Sequence, residues 1–143
     1  MLVKQISVFV ENKQGRLVDI IEELAKLEIN IGAVSIADTT DFGILRMIVN
    51  KPDAAYGGLK EAGYTVSMTE VIAVEMADIP GGLYDVLRVL QACKISIEYL
   101  YSFVRRTDTK AIIICRVEDP KGAIDALQDA GKRVLTQDEV YSM

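Results

Sequence analysis

The sequence NKQGRL at positions 12–17 recurs as DIPGGL at positions 78–83, an offset of 66 residues. Each copy places an Asn or Asp three residues before a glycine, and a leucine two residues after that glycine. A repeat period of this length is that of a small domain rather than of a solenoid. The chain therefore contains two copies of one fold unit, which we place at residues 1–70 and 71–143.

The apolar positions around the two motifs repeat as well. At the same offset the matching pairs are Ile6/Ile72, Val8/Val74, Leu24/Leu90, Ile29/Ile95 and Ile31/Ile97. Further on the offset becomes 68 residues, with the pairs Ile44/Ile112, Val49/Val117, Pro52/Pro120, Leu59/Leu127 and Gly63/Gly131. Two extra residues therefore enter the second copy between its middle strands.

Hydrophobic periodicity predicts the same order of elements in both halves. For the first half it predicts a strand at 6–10, a helix at 17–27, strands at 29–36 and 44–49 joined by a turn at 38–41, a helix at 52–62, and a short closing strand at 64–68. For the second half it predicts a strand at 71–76, a helix at 83–90, strands at 95–104 and 110–117, a helix at 120–130, and a last strand at 133–136.

A β-α-β-β-α-β unit closes as an antiparallel four-stranded sheet with both helices on one face, the ferredoxin-like arrangement. We therefore predict an α+β protein with two tandem ferredoxin-like units. Thr69-Glu70 is the whole junction between the closing strand and the next predicted strand, so the halves should form one rigid body.

The face of each sheet that lies away from the helices is too apolar to be exposed to solvent. The run Ala111 to Cys115 is continuously apolar, and the preceding strand carries Tyr99, Leu100, Tyr101 and Phe103. Strands that are apolar on both sides are covered on both sides. We expect this face to meet the other repeat or a second chain, and the protein to form a homodimer or a higher homo-oligomer.

Composition excludes several classes of protein. The formal net charge of −5 argues against a nucleic-acid partner, which needs a basic patch. The N-terminus lacks the apolar core of a signal peptide, no run reaches the length of a membrane span, and the two cysteines form no C-x-x-C motif. We expect a cytoplasmic protein with reduced thiols and no membrane partner.

The residues that most catalytic sites need are missing. The chain has no histidine, the commonest general base and metal ligand. It has neither a P-loop nor a G-x-G-x-x-G motif, and Gly57-Gly58 lies inside a predicted helix. We therefore predict no enzymatic activity, no metal site and no cofactor. A small enzyme on this scaffold stays an alternative, because fold alone does not decide function. The lack of histidine makes it the least favoured one.

The two strand-to-helix loops are the informative segments. A helix N-terminus offers unpaired N–H groups and partial positive charge, which suit a carboxylate. A glycine there permits close approach of a ligand, and a carboxamide can both donate and accept hydrogen bonds. These groups together suit a free amino acid. The alternative is that Asn12 and Asp78 simply cap their helices while the glycines serve tight turns.

The element order, the Asn/Asp-x-x-Gly-x-Leu loop and the strand start Ile29-Asn30-Ile31 resemble ACT domains, over about residues 3–70 and 71–138. ACT domains are regulatory modules that sense amino acids, with the ligand at an interface between two domains. The resemblance implies contacts from the strand-to-helix loop and from the start of the second strand. The implied ligand-binding residues are Asn12, Gln14, Gly15, Arg16, Leu17 and Asn30 in the first repeat, and Asp78, Pro80, Gly81, Gly82, Leu83 and Ser96 in the second.

The copies differ at these positions. Gln14 stands where the family usually has proline, Ser96 replaces the Asn30 of the first repeat, and Asp78 would repel a ligand carboxylate. We expect Asn12 and Asn30 to mark the better amino-acid site. The predicted function is that of a regulatory protein which binds an amino acid or similar small metabolite and associates with a partner in response. The alternative is a ligand-free interaction module that docks a partner enzyme subunit through its apolar sheet face.

Overall fold

The computed structural model describes residues 1–38, 41–103 and 109–143. The first repeat consists of β1 (Val3–Glu11), α1 (Arg16–Lys26), β2 (Ile31–Asp38), β3 (Phe42–Val49) and α2 (Pro52–Glu61). One long strand, β4 (Val66–Ala77), leads into the second repeat. The second repeat continues with α3 (Gly82–Ala92), β5 (Ile97–Ser102), β6 (Lys110–Val117), α4 (Pro120–Asp129) and α5 (Gln137–Tyr141). Residues 39 and 40 of the predicted turn, and 104 of the predicted strand, lie outside the described residues.

The α+β architecture with two ferredoxin-like units is confirmed, but the sheets are joined. All six strands form one continuous antiparallel sheet in the order β2-β3-β1-β4-β6-β5. Its two parts, which β4 joins, are called the two sheets below: β2, β3, β1 and the first half of β4 form one, and the second half of β4, β6 and β5 form the other. β4 pairs with β1 from Val66 to Val71 and with β6 from Ile72 to Ala77. The prediction of two separate strands at 64–68 and 71–76 was wrong, because Thr69 and Glu70 contain no chain breaker and continue the strand. The division at residues 70 and 71 stays a prediction, since both halves share β4.

Side chains of β4 contribute to three hydrophobic cores: one between the two sheets, one under α1 and α2, and one under α3 and α4. Val71 and Ala73 face the core between the two sheets, whereas Met68 faces α1 and α2, and Ile72 and Val74 face α3 and α4. The same alternation explains the apolar run in β6. Ile112 and Ile114 face the other sheet, and Ile113 and Cys115 face the helices of the second repeat.

The helix-free faces of the two sheets therefore cover each other. Val3, Ile48 and Val71 from the side of the first repeat pack with Ala73, Tyr101, Phe103, Ile112 and Ile114 from the side of the second. Edge strand β2 also meets the residue that follows edge strand β5, at a bridge between Ala33 and Phe103. This arrangement contradicts the alternative in which the apolar sheet face docks a partner enzyme, because that face is already buried within the chain.

The predicted last strand at 133–136 is reduced to one bridge, between Val134 and Val74. Its backbone bonds run from Glu75 N to Arg133 O at 2.9 Å and from Leu135 N to Ala73 O at 2.9 Å. The chain then turns into α5, which the periodicity did not predict. A capping box begins this helix: the Thr136 hydroxyl accepts from Glu139 N, and the Glu139 carboxylate accepts from Thr136 N.

Gly32 lies where the edge strands of the two repeats meet. A Cβ atom added at this position would lie 2.5 Å from the Phe103 ring. We expect Gly32→Ala to lower the free energy of unfolding by about 1–3 kcal/mol, because overpacking displaces the ring that seals the core between the sheets. Urea denaturation followed by circular dichroism measures this change.

The matched control is Gly57→Ala in α2, where an added Cβ meets nothing within 4 Å. This substitution should raise stability by about 0.5–1 kcal/mol, since alanine favours a helix interior over glycine. Equal effects of the two substitutions would contradict the assigned packing at Gly32.

The capping box makes α5 sensitive to acid. The hydrogen bond from Thr136 N, followed by the Arg133 guanidinium, holds the pKa of Glu139 below its usual 4.5. A lowered pKa stabilises the folded state above the unfolded value, and that contribution is lost as the pH falls through the folded value. We expect Glu139→Gln to increase hydrogen exchange at the Val140 amide at neutral pH. The difference from wild type should shrink as the pH falls below 4.5 and vanish once the pH is below the lowered pKa of Glu139. A difference that is the same at neutral and acidic pH would contradict this role for Glu139.

Candidate functional site

The first strand-to-helix loop connects Glu11 to Arg16. Gly15 has φ 86°, in the left-handed region, and it is the N-cap residue of α1. Its carbonyl accepts a 3.0 Å hydrogen bond from Asp19 N, and Arg16 N donates to Lys13 O at 3.3 Å. The N-cap position is thus held by Gly15 and not by Asn12, and it supplies no side-chain cap. Without a side-chain cap, the first turn of α1 keeps backbone N–H groups that can donate to an anion.

The second loop has the same geometry. Gly81 has φ 87° and is the N-cap residue of α3, again without a side-chain cap. Its carbonyl accepts from Asp85 N at 3.0 Å, and Gly82 N donates to Ile79 O at 3.0 Å. The sequence motif therefore specifies one turn in both repeats, because each requires a glycine at the left-handed position.

A concavity of about 230 Å³ lies beside the first loop. It is lined by Asn12, Lys13 and Leu17 from the loop and α1, and by Ile36 and Asp38 from β2. Ile36 and Asp38 were not predicted as site residues, and strand pairing rather than any sequence motif brings them there. A second concavity, of about 270 Å³, lies on the other side of the start of α1 and is lined by Arg16 and Tyr64 among others.

Charge distinguishes the two loops. In the first, Lys13 Nζ lies 3.0 Å and Arg16 Nη2 lies 3.9 Å from the Glu11 carboxylate. The hydrogen bond and charge of Lys13, followed by the charge of Arg16, hold the pKa of Glu11 below its usual value. The first loop thus carries two cations against one carboxylate. The second carries Asp78 and no lysine or arginine between 78 and 83, so it attracts anions less.

Asn30 and Ser96 begin the second strand of each repeat. Asn30 N donates to the Asn50 side-chain oxygen at 2.9 Å, and Asn50 N donates to Asn30 O at 3.1 Å. In the second repeat, Glu118 N donates to Ser96 O at 3.0 Å. Both residues therefore tie the start of an edge strand to the end of the neighbouring strand.

The structure does not bring Asn30 to the Asn12 loop within one repeat. β1 ends with Glu11 opposite Phe42, whereas β2 begins with Ile31 opposite Val49 at the other end of β3. The eight residues of β2 span roughly 25 Å, so the two positions lie at opposite ends of the sheet. A single ligand site that contains both an Asn12 loop and an Asn30 strand start therefore needs these two parts to come from two different domains packed side by side.

Two classes of feature are absent from the described residues. Residues 1–38, 41–103 and 109–143 contain no group of three or more Cys, Asp or Glu side chains that could hold a metal ion. None of the helices in these ranges is long and apolar enough to cross a membrane.

Comparison with known proteins agrees with this geometry. The family model of the ACT domain pair matches residues 1–141. The crystal structure of protein BT0572 from Bacteroides thetaiotaomicron is 38% identical, with a TM-score of 0.94 over 100% of this chain and 98% of that one. A search of curated proteins finds no match.

More distant structures share the fold alone. The ligand-free regulatory subunit of aspartate kinase from Thermus thermophilus has a TM-score of 0.66 at 15% identity, over 90% of this chain and 93% of that chain. The corresponding subunit from Thermus flavus has a TM-score of 0.62 at 13% identity, over 90% and 92%. The match over nearly the whole length, together with the two equivalent glycine loops, shows that this chain belongs to the ACT domain pair family.

Proposed function

We propose that the protein is a regulatory protein that binds an amino acid or a similar small metabolite and has no catalytic activity of its own. The observation that carries this proposal is the pair of loops, each presenting a helix N-terminus without a side-chain cap beside a left-handed glycine. The first loop adds cationic side chains that attract a carboxylate. It is therefore the primary site in this proposal.

Similarity of fold to regulatory subunits of aspartate kinase supports a regulatory role. In this proposal the protein acts through ligand-dependent association with a partner, such as an enzyme subunit. A ligand that bridges two domains binds one relative orientation of the domains more tightly than the others. Allosteric regulation requires such a difference in affinity between two states.

The separation of Asn12 from Asn30 favours a homodimer. A second copy placed along β2 would bring the loop of one domain next to the strand start of another. The edge of the first repeat offers an apolar surface for this contact, because Leu17, Val18, Val34 and Ile36 are 38%, 68%, 43% and 49% exposed. Exposed apolar residues on an edge strand are otherwise a liability for aggregation.

Ligand binding is tested by thermal unfolding in the presence of each of the twenty amino acids. At 100 times its dissociation constant, the correct ligand stabilises the fold by about 2.7 kcal/mol, which corresponds to roughly 5–10 °C in Tm. Asn12→Ala should weaken binding without changing the Tm of the free protein, while Gln128→Ala, the loss of a side-chain amide on α4, should leave binding unchanged. No shift with any of the twenty amino acids would refute amino-acid sensing.

The homodimer is tested by light scattering after size exclusion. A charge introduced by Ile36→Lys should convert the dimer to a monomer, because the lysine ammonium would be desolvated at the apolar edge. Gln128→Lys adds the same charge away from that edge and should remain dimeric. A wild-type protein that is monomeric at about 100 times the working concentration of the binding assay would contradict the proposed assembly.

A further inference from the structure

The core between the two sheets is apolar at one end and polar at the other. Near the bridge between Ala33 and Phe103 it consists of aliphatic and aromatic side chains. Towards the far end of β1 it opens into a cleft of about 320 Å³, a volume within the range of small-molecule sites. The residues that line it include Ser7, Phe9, Arg46, Ser67, Tyr99 and Arg116.

The register of the strands explains this clustering. Arg46 on β3, Ser7 on β1 and Ser67 on β4 are directly opposite one another and form a polar row across three adjacent strands. Tyr99 on β5 and Arg116 on β6 are likewise paired, on the sheet of the second repeat. The cleft is therefore formed by both repeats, and neither could build it alone.

Gln5 is fully buried and hydrogen-bonds to two residues that line the cleft, Ser7 and Tyr99. Its side-chain oxygen accepts from the Tyr101 hydroxyl at 2.6 Å, and burial raises the pKa of Tyr101, which keeps that donor protonated. Its amide nitrogen donates to the Tyr99 hydroxyl at 2.7 Å and to the Ser7 hydroxyl at 3.3 Å. Because both hydroxyl oxygens accept from Gln5, their hydrogens are left to donate to another group.

Arg46 completes a set of donors. Its guanidinium carbon lies 3.7 Å from the centre of the Tyr99 ring, a cation–π contact that holds the side chain over the cleft. Across the part of the chain that the structure describes, Arg46 has no carboxylate within salt-bridge distance. Arg116 is engaged by Glu98 at 3.1 Å and by the Glu70 carbonyl at 2.9 Å. Arg46 is thus the cation available to a ligand.

We propose that this cleft binds a small metabolite that carries a carboxylate or phosphate group, at a site separate from the strand-to-helix loops. The guanidinium of Arg46 matches the geometry of either oxyanion, and the Tyr99 and Ser7 hydroxyls add neutral donors. The described lining contains no aspartate or glutamate, so an ammonium group would find no counter-charge. The cleft therefore selects simple anions over zwitterionic amino acids. Since the ligand contacts both sheets, its binding stabilises the packing of one repeat on the other.

The test is a titration of the ¹⁵N-labelled full-length chain with inorganic phosphate, succinate, glycine and glycerol, followed by amide chemical shifts. Phosphate or succinate should shift the amides of Ser7, Arg46, Ser67 and Tyr99, and the tighter of the two identifies the preferred oxyanion. Glycine and glycerol should leave these amides unchanged. Shifts confined to residues 12–17 and 78–83 would overturn the proposal while leaving amino-acid binding at the loops intact, as would the absence of any response to either anion.

Three variants assign the effect to Arg46. Arg46→Gln should raise the dissociation constant for the preferred anion about tenfold or more, and Arg46→Lys should raise it less, because charge is kept but the planar fork is lost. Arg88→Gln, the same substitution on an exposed face of α3, should have no effect. Equal binding by Arg46→Gln and Arg88→Gln would overturn the assignment, provided that the circular dichroism spectra of both match wild type. If Arg46→Gln does not fold, Arg46→Lys and the wild-type shift map decide the question.

Discussion

The hydrogen bonding of a single strand determines how the two repeats are arranged. β4 forms a ladder with β1 along its first half and with β6 along its second half, so the end of one unit is also the beginning of the next. This shared backbone leaves little freedom for the halves to move as separate bodies. It also places odd-numbered residues of β4 on the face between the sheets, where they help to bury both units. Two units of about 70 residues, each marginal alone, thereby gain a third core that neither possesses independently.

That third core is not uniformly apolar, and the polar side chains at one end of it are hydrogen-bonded to one another. A fully buried glutamine would lower stability if its amide lacked partners. Gln5 avoids this penalty because two tyrosines and a serine satisfy its donors and acceptor. The described residues contain no buried side-chain nitrogen or oxygen without a hydrogen-bond partner. The buried polar groups at this end are therefore satisfied without a ligand. The hydroxyl hydrogens of Ser7 and Tyr99, which line the cleft, are left to donate to a ligand.

The two strand-to-helix loops show how a duplicated unit can diverge in chemistry while keeping its backbone. Gly15 and Gly81 adopt nearly identical left-handed conformations, because the turn from strand to helix requires them. The side chains around these glycines are under no such constraint. Lys13 and Arg16 surround Glu11 in the first repeat, whereas Asp78 and Pro80 occupy the second. The same turn thus presents different charges to a ligand.

The sequence by itself determined the duplication, the order of the strands and helices as far as α4, and the two glycine turns, because these depend on local periodicity and backbone conformation. It also contained the signal for α5, the Thr136-x-x-Glu139 capping box, which the alternating pattern of 133–136 obscured. Tertiary structure decided the rest. Pairing over long sequence distances fused two predicted strands into β4, buried the apolar sheet faces against each other, and placed Asn12 and Asn30 at opposite ends of one sheet. It also brought Gln5, Arg46 and Tyr99 together, although no local pattern links residues so far apart in the chain.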